Sequence, residues 1–188
     1  MAAIRTFISF CPPEVVRDEM KKIQDQLKES HADFKWELPH QLHATIKFLG
    51  DVEERAMPDV LTAIRDATIG ISLFSVTYRT VGSFPDNRHP RIVWIGCEDS
   101  SGTLLQLKTN LDKVLLLLGF AVEDRKFHPH ITLGRVKSSL NLHHLTPMLE
   151  NCTFEPRVAV VEEVCVMKSI LKPQGAEYSV LQSIHLSA

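Results

Sequence analysis

Residues 128–135, His-Pro-His-Ile-Thr-Leu-Gly-Arg, have a counterpart far upstream at residues 43–50, His-Ala-Thr-Ile-Lys-Phe-Leu-Gly. Each stretch carries His-x-Thr followed by an aliphatic residue, within a run that reads as a β-strand. Side chains two residues apart on a strand share a face. His43 and Thr45 therefore project together while Ala44 and Ile46 turn toward a core. His130 and Thr132 repeat the arrangement, with Ile131 and Leu133 inward. The two histidines stand 87 positions apart in a chain of 188 residues, close to half its length, and this suggests an internal duplication.

Working outward from the two motifs, the chain alternates strands and helices. A strand over 3–10 stops at Pro12-Pro13, and a helix over about 14–29 carries Val16, Met20, Ile23 and Leu27 on one face. The first motif strand, about 42–49, is followed by a helix from about Pro58 to Ala67, with proline suited to its first turn. A strand over 71–83 and a loop from Gly82 to Pro90 close the first half. The second half repeats the order: a strand at 91–96, then a helix at 101–118 with Leu104, Leu107, Leu111, Val114 and Leu118 at helical spacing. The second motif strand follows at about 128–136, then a helix at about 140–150. Two long strands, 157–170 and 177–186, end the chain, the last entered through Pro173-Gln174-Gly175. No stretch has the composition of a flexible tether. The pattern predicts one domain of two pseudo-twofold lobes, about 1–85 and 90–188, built from duplicated β-α-β-α-β units. A pseudo-twofold pair of lobes would place the two motif strands across one cleft.

The totals limit the classes of function. Apolar residues make up 44% and charged residues 23%, ordinary for a globular protein. A net charge of −2 argues against a protein that coats nucleic acid by broad electrostatics, but leaves room for a local basic cleft. No apolar run is long enough to span a bilayer, and the N-terminus lacks a signal-peptide layout. Cys11, Cys97, Cys152 and Cys165 show no CxxC spacing and read as reduced thiols of a cytoplasmic protein. No cofactor is implied, a monomer is the default, and a membrane role is not expected.

Two imidazoles facing each other across a cleft form an acid–base pair. An unperturbed pKa of about 6.5 leaves both protonation states available near neutrality. In-line displacement at phosphorus needs a base on the attacking oxygen and an acid on the leaving oxygen, on opposite sides. The hydroxyls of Thr45 and Thr132 can donate to the non-bridging oxygens, where charge builds up, and no metal is needed. Lys47, four residues past His43, shares the motif face under strict alternation. Arg135, five past His130, falls on the opposite face unless the strand twists or ends near Gly134, so it reads equally as a phosphate ligand or a surface charge. His128 shares a face with His130 and offers a second metal-ligand candidate. Phe48, Trp36, Phe84 and Phe127 can each stack a base, though core packing is the default reading. Arg88, Arg91, Arg125 and Lys126 can line the cleft mouth, with isolated solvated charges as the default.

The motif pair resembles the signature of the 2H phosphoesterase superfamily, and within it the RNA 2′,3′-cyclic phosphodiesterases long called 2′–5′ RNA ligases. The likeness covers nearly the whole chain, from Arg5-Thr-Phe-Ile and Pro12-Pro13-Glu14 through Arg91-Ile-Val-Trp-Ile-Gly96 to Ser169-Ile-Leu-Lys-Pro-Gln-Gly-Ala-Glu-Tyr178. The resemblance implies a bilobal α+β fold, with two antiparallel sheets flanking a central cleft and the helices outside, and metal-independent hydrolysis of an RNA 2′,3′-cyclic phosphate end, or of a small cyclic nucleotide, to a 2′-phosphomonoester. It implies His43 as proton donor and His130 as proton acceptor, with Thr45, Thr132 and Arg135 on the phosphate. A non-catalytic nucleotide-binding module on the same fold and reversible 2′–5′ ligation remain as alternatives.

Overall fold

The computed structural model describes residues 2–172 and 175–187. In chain order the elements are β1 (Ala3–Phe10), α1 (Glu14–Lys28), β2 (Phe34–Trp36), β3 (Ala44–Glu53), α2 (Met57–Thr68), β4 (Phe74–Phe84), β5 (Ile92–Glu98), α3 (Thr103–Leu116), β6 (His130–Val136), α4 (Leu142–Asn151), β7 (Arg157–Val161), β8 (Glu163–Lys172) and β9 (Gly175–His185). The expected elements are present, with three differences. Residues 34–36 add a short strand that pairs with β6. The strand expected over 157–170 is split, because β7 pairs with β4 while β8 pairs with β1, and the chain changes sheet edge between them. Helix α3 buries Leu115 in place of Leu118, which lies beyond the last helical turn and is exposed. The Pro173-Gln174 part of the final turn lies outside the described residues.

The nine strands form one curled antiparallel sheet in the order β7-β4-β5-β6-β3-β1-β8-β9, with β2 beside β6. The two antiparallel sheets that the resemblance implies are its halves, which meet at the single pair Ala44↔Ile131 between β3 and β6. The halves of the sheet are not the halves of the chain. Strand β4 leaves the first half of the sequence to pair with β5, and β8 returns from the second half to pair with β1. A division at about residues 85–90 therefore separates β4 from β5, its partner in the sheet, and does not separate one half-sheet from the other.

One face of the sheet carries the main core, where Ile8, Phe10, Ile46, Ile95, Ile131 and Leu133 meet the apolar stripes of the helices. The opposite face carries a small cluster, Phe7, Cys165 and Met167 with Tyr178 packed on it. Alternation along β1 and β8 divides these sets. None of the helices among the described residues is long and apolar enough to cross a membrane.

Candidate active site

The motif strands meet at the centre of the sheet. Carrying the Ala44↔Ile131 register one residue each way puts His43 across from Thr132 and Thr45 across from His130. The four motif side chains thus share one place on one face, related by the pseudo-twofold.

Each imidazole is anchored the same way. His43 Nδ1 lies 2.6 Å from the Gln41 carbonyl oxygen, and His130 Nδ1 lies 2.7 Å from that of His128. A carbonyl only accepts, so Nδ1 carries the hydrogen and Nε2 is left for work in the cleft. Burial pushes both histidines below the ordinary imidazole range. The carbonyl contact pulls each partly back up, and the Arg135 charge pushes both down again. The surroundings differ. The Phe7 ring lies 4.8 Å from that of His43, with Tyr178 edge-on at 4.9 Å. His130 meets the edge of Phe84 at 4.9 Å, and Trp94 stands 4.9 Å from His128. His128 acts through its carbonyl, and its ring is exposed. Among the described residues no three His, Cys, Asp or Glu side chains converge as a metal site.

Two bulges decide which other residues reach this face. Against β1, Ser9 pairs with Thr45 but Ile8 pairs with Lys47, so Ile46 is an extra residue. Against β5, Trp94 pairs with Thr132 but Val93 pairs with Gly134, so Leu133 is extra. Ile46 and Leu133 are 87 positions apart, like the histidines, so the duplicated strands bulge at equivalent positions. A bulge reverses the alternation beyond it. Lys47, expected on the motif face, turns into the core and is completely buried. Phe48, whose default reading is core packing, is 61% exposed on the cleft side. Arg135 comes round to the motif face, with Nε 3.7 Å from Glu37 Oε1. Phe48 and Arg135 are equivalent positions, so an aromatic ring flanks one motif and a cation the other. Gly134 is required at its bulge, since a Cβ there would meet Phe34 and Trp36 at under 3.0 Å.

Helices from across the pseudo-twofold brace both bulges. The buried Gln24 of α1 donates to the carbonyls of Leu133 and Glu37, both at 2.8 Å. Lys47 is held by Asp112 of α3 at 2.6 Å and donates to the Ala121 carbonyl at 2.8 Å. Gln24→Leu leaves the Glu37 carbonyl without its donor, while the Leu133 carbonyl keeps only the Glu37 N–H, and a loss of roughly 1–3 kcal/mol is expected in urea unfolding. A change below about half a kilocalorie per mole would show that the bulge does not depend on this clamp.

Beside His43 lies a cavity of about 450 Å³, bounded by Phe7, Phe48 and Tyr178 and by Arg5, Lys35 and Arg135. Arg88, Arg91, Arg125 and Lys126 are absent from its lining, and Arg88 instead borders a separate, more open surface hollow with Asp86 and Glu150. Trp36 stacks on Phe34, while Phe127 packs against the core near Lys108. Arg5, Lys35, Glu37 and Tyr178 are not legible in the sequence as site residues. They come from separate segments that only the sheet topology assembles.

Comparison with known proteins gives one consistent result. The family model described as LigT like Phosphoesterase matches twice, over residues 11–94 and 95–178. An RNA 2′,3′-cyclic phosphodiesterase of Methanothermobacter thermautotrophicus is 35% identical over 97% of this chain and 99% of its own. The Thermotoga maritima protein of the same name is 31% identical over 95% of this chain and 93% of its own. A crystal structure of a Thermus thermophilus protein superposes with a TM-score of 0.81 at 28% identity, over 97% of this chain and 98% of that one. Escherichia coli LigT, crystallised with 3′-AMP, shares the fold at a TM-score of 0.79 and 22% identity, over the full length of both chains.

Proposed function

We infer the reaction from a premise the comparisons establish: the chain belongs to the LigT-like phosphoesterase family. It is a phosphodiesterase, and its reaction is the opening of RNA 2′,3′-cyclic phosphate ends to 2′-phosphomonoesters. The observation that carries the mechanism is the matched anchoring of His43 and His130, each tied at Nδ1 to a carbonyl two residues before it. His130 Nε2 takes a proton from water as it attacks phosphorus, and His43 Nε2 gives one to the departing O3′. Thr45 and Thr132 donate to the non-bridging oxygens, and Arg135 adds positive charge from the same face. Phosphorus gains one P–O bond and loses another, the two proton transfers balance, and every step is assigned to these side chains without a metal. The enzyme acts as a monomer in the cytoplasm.

The test is product analysis with an RNA ending in a cyclic phosphate, with and without a 5′-hydroxyl acceptor and with EDTA present. A 2′-phosphate product that forms unchanged in EDTA supports hydrolysis by the histidine pair. Tight binding without turnover, or loss of activity that zinc restores, would sink it. A joined 2′–5′ product only when acceptor is present would favour ligation.

The pH profile follows from the histidine environments. Both imidazoles titrate below 6.5 in the free enzyme, chiefly because burial disfavours the cation. The base must be neutral and the acid protonated, so kcat/KM is bell-shaped with its maximum at the mean of the pair's two apparent pKa values. That mean lies on the acid side of the ordinary imidazole value, and kcat/KM is expected to decline through neutrality. A maximum above about pH 7.5 in kcat/KM of the wild type would contradict the assignment.

A further inference from the structure

The cavity beside His43 has a chemistry the reaction above does not use. It lies next to His43, which does not itself line it: Phe7 and Tyr178 form one wall and also pack on that imidazole. Three cations, Arg5, Lys35 and Arg135, stand among its other, mostly neutral residues. Lys35 and Arg135 are direct partners across the β2–β6 pair, a like-charge juxtaposition that costs stability unless an anion offsets it. Among the described residues, neither Arg5 nor Lys35 has a carboxylate within ion-pair distance. Glu37 also lines the cavity, 3.7 Å from Arg135, so one carboxylate stands against three cations.

The stereochemistry of the reaction decides what enters. If O3′ departs toward His43, the ribose that bears it lies on the His43 side, and water arrives from the side of His130. The 5′ carbon of that ribose carries the phosphodiester leading into the rest of the strand. We propose that the cavity binds this internal phosphodiester between Arg5 and Lys35, with the terminal nucleoside against Phe48, so that the enzyme selects an RNA strand over a cyclic mononucleotide. The proposal rests on the reaction assigned above and adds the side of the cleft and the minimum length of substrate.

The test compares 2′,3′-cyclic AMP with a diadenylate ending in a 2′,3′-cyclic phosphate, at low and moderate salt. The proteins are wild type, Arg5→Ala, Lys35→Met and the double variant, each with its melting curve to verify folding. Wild type is expected to prefer the dinucleotide. In the double variant the ratio of kcat/KM for dinucleotide over mononucleotide falls by roughly tenfold, the worth of a charge-assisted hydrogen bond. The salt dependence of dinucleotide kcat/KM flattens by about 0.7 in log–log slope in the double variant, the share of the one internal phosphate. A wild-type ratio near unity, or a ratio that the variants leave unchanged, overturns the subsite while the phosphodiesterase reading stands. If wild type opens neither substrate, the reaction itself is wrong.

Discussion

His130→Ala is expected to lower kcat on a 2′,3′-cyclic phosphate by about 10²–10⁴-fold, and His43→Ala by a similar factor. The equality follows from the matched anchoring, because each imidazole has one nitrogen committed to a carbonyl and the other free. Their roles separate with a different substrate. A phosphodiester with a nitrophenolate leaving group needs no acid, so His43→Ala should recover much of its activity on it while His130→Ala should not. Recovery by the opposite variant would exchange the two roles. The double variant should fall little below either single one, since an acid and a base that act together are not additive. Full activity in either single variant on the natural cyclic phosphate would remove the mechanism altogether.

Asp112→Asn carries the second large effect, and it is on stability. Asp112 accepts from Lys47 and Lys108, both at 2.6 Å, and both lysines are buried. Burial pushes the carboxyl up, but the hydrogen bonds and charges of the two lysines outweigh it and hold it below the usual carboxylate range. Removing its charge leaves two buried ammonium groups without a counter-ion, a change expected to cost roughly 3–5 kcal/mol. Lys47→Met should cost much less, because Asp112 keeps Lys108 and methionine fills the path of the lysine stem. Urea unfolding of the two variants gives the comparison, and a loss under about 1 kcal/mol for Asp112→Asn would contradict the pairing. The pH sense is fixed. A carboxyl depressed in the folded state stabilises above its unfolded value of about 3.9, and that stability is lost as pH falls through the lower folded value. The gap between wild type and Asp112→Asn should therefore close in acid.

Much of this molecule is legible in sequence because its signals are local and repeated. The His-x-Thr strands, the apolar stripe Val16-Met20-Ile23-Leu27 and the spacing of Leu104, Leu107 and Leu111 all depend on period alone. The face of Lys47, Phe48 and Arg135 does not follow from period, because strict alternation fails at a bulge and the bulge is fixed by pairing with β1 and β5. Gly134 is the available hint, since an isolated glycine in a strand marks a bulge or a close approach. The cavity is out of reach for another reason. Arg5, Lys35 and Tyr178 lie far apart in the chain, and the exchange of β4 and β8 between half-sheets has no local signature.

That exchange bears on how such a cleft can differentiate. Two identical half-length chains, each lending its last strand to the other, would close the same sheet as a strand-swapped homodimer. Their twofold axis would pass between the motif strands, and symmetry would force the same residue on both sides of it. Acid and base would be interchangeable, and any pocket on one side would be repeated on the other. Covalent continuity between the halves removes that constraint. Phe48 opposite Arg135, and Phe7 with Tyr178 opposite Phe84 with Trp94, are asymmetries open only to a fused chain. Fusion therefore gives the cleft a direction, with one side able to hold a strand and the other left to admit water.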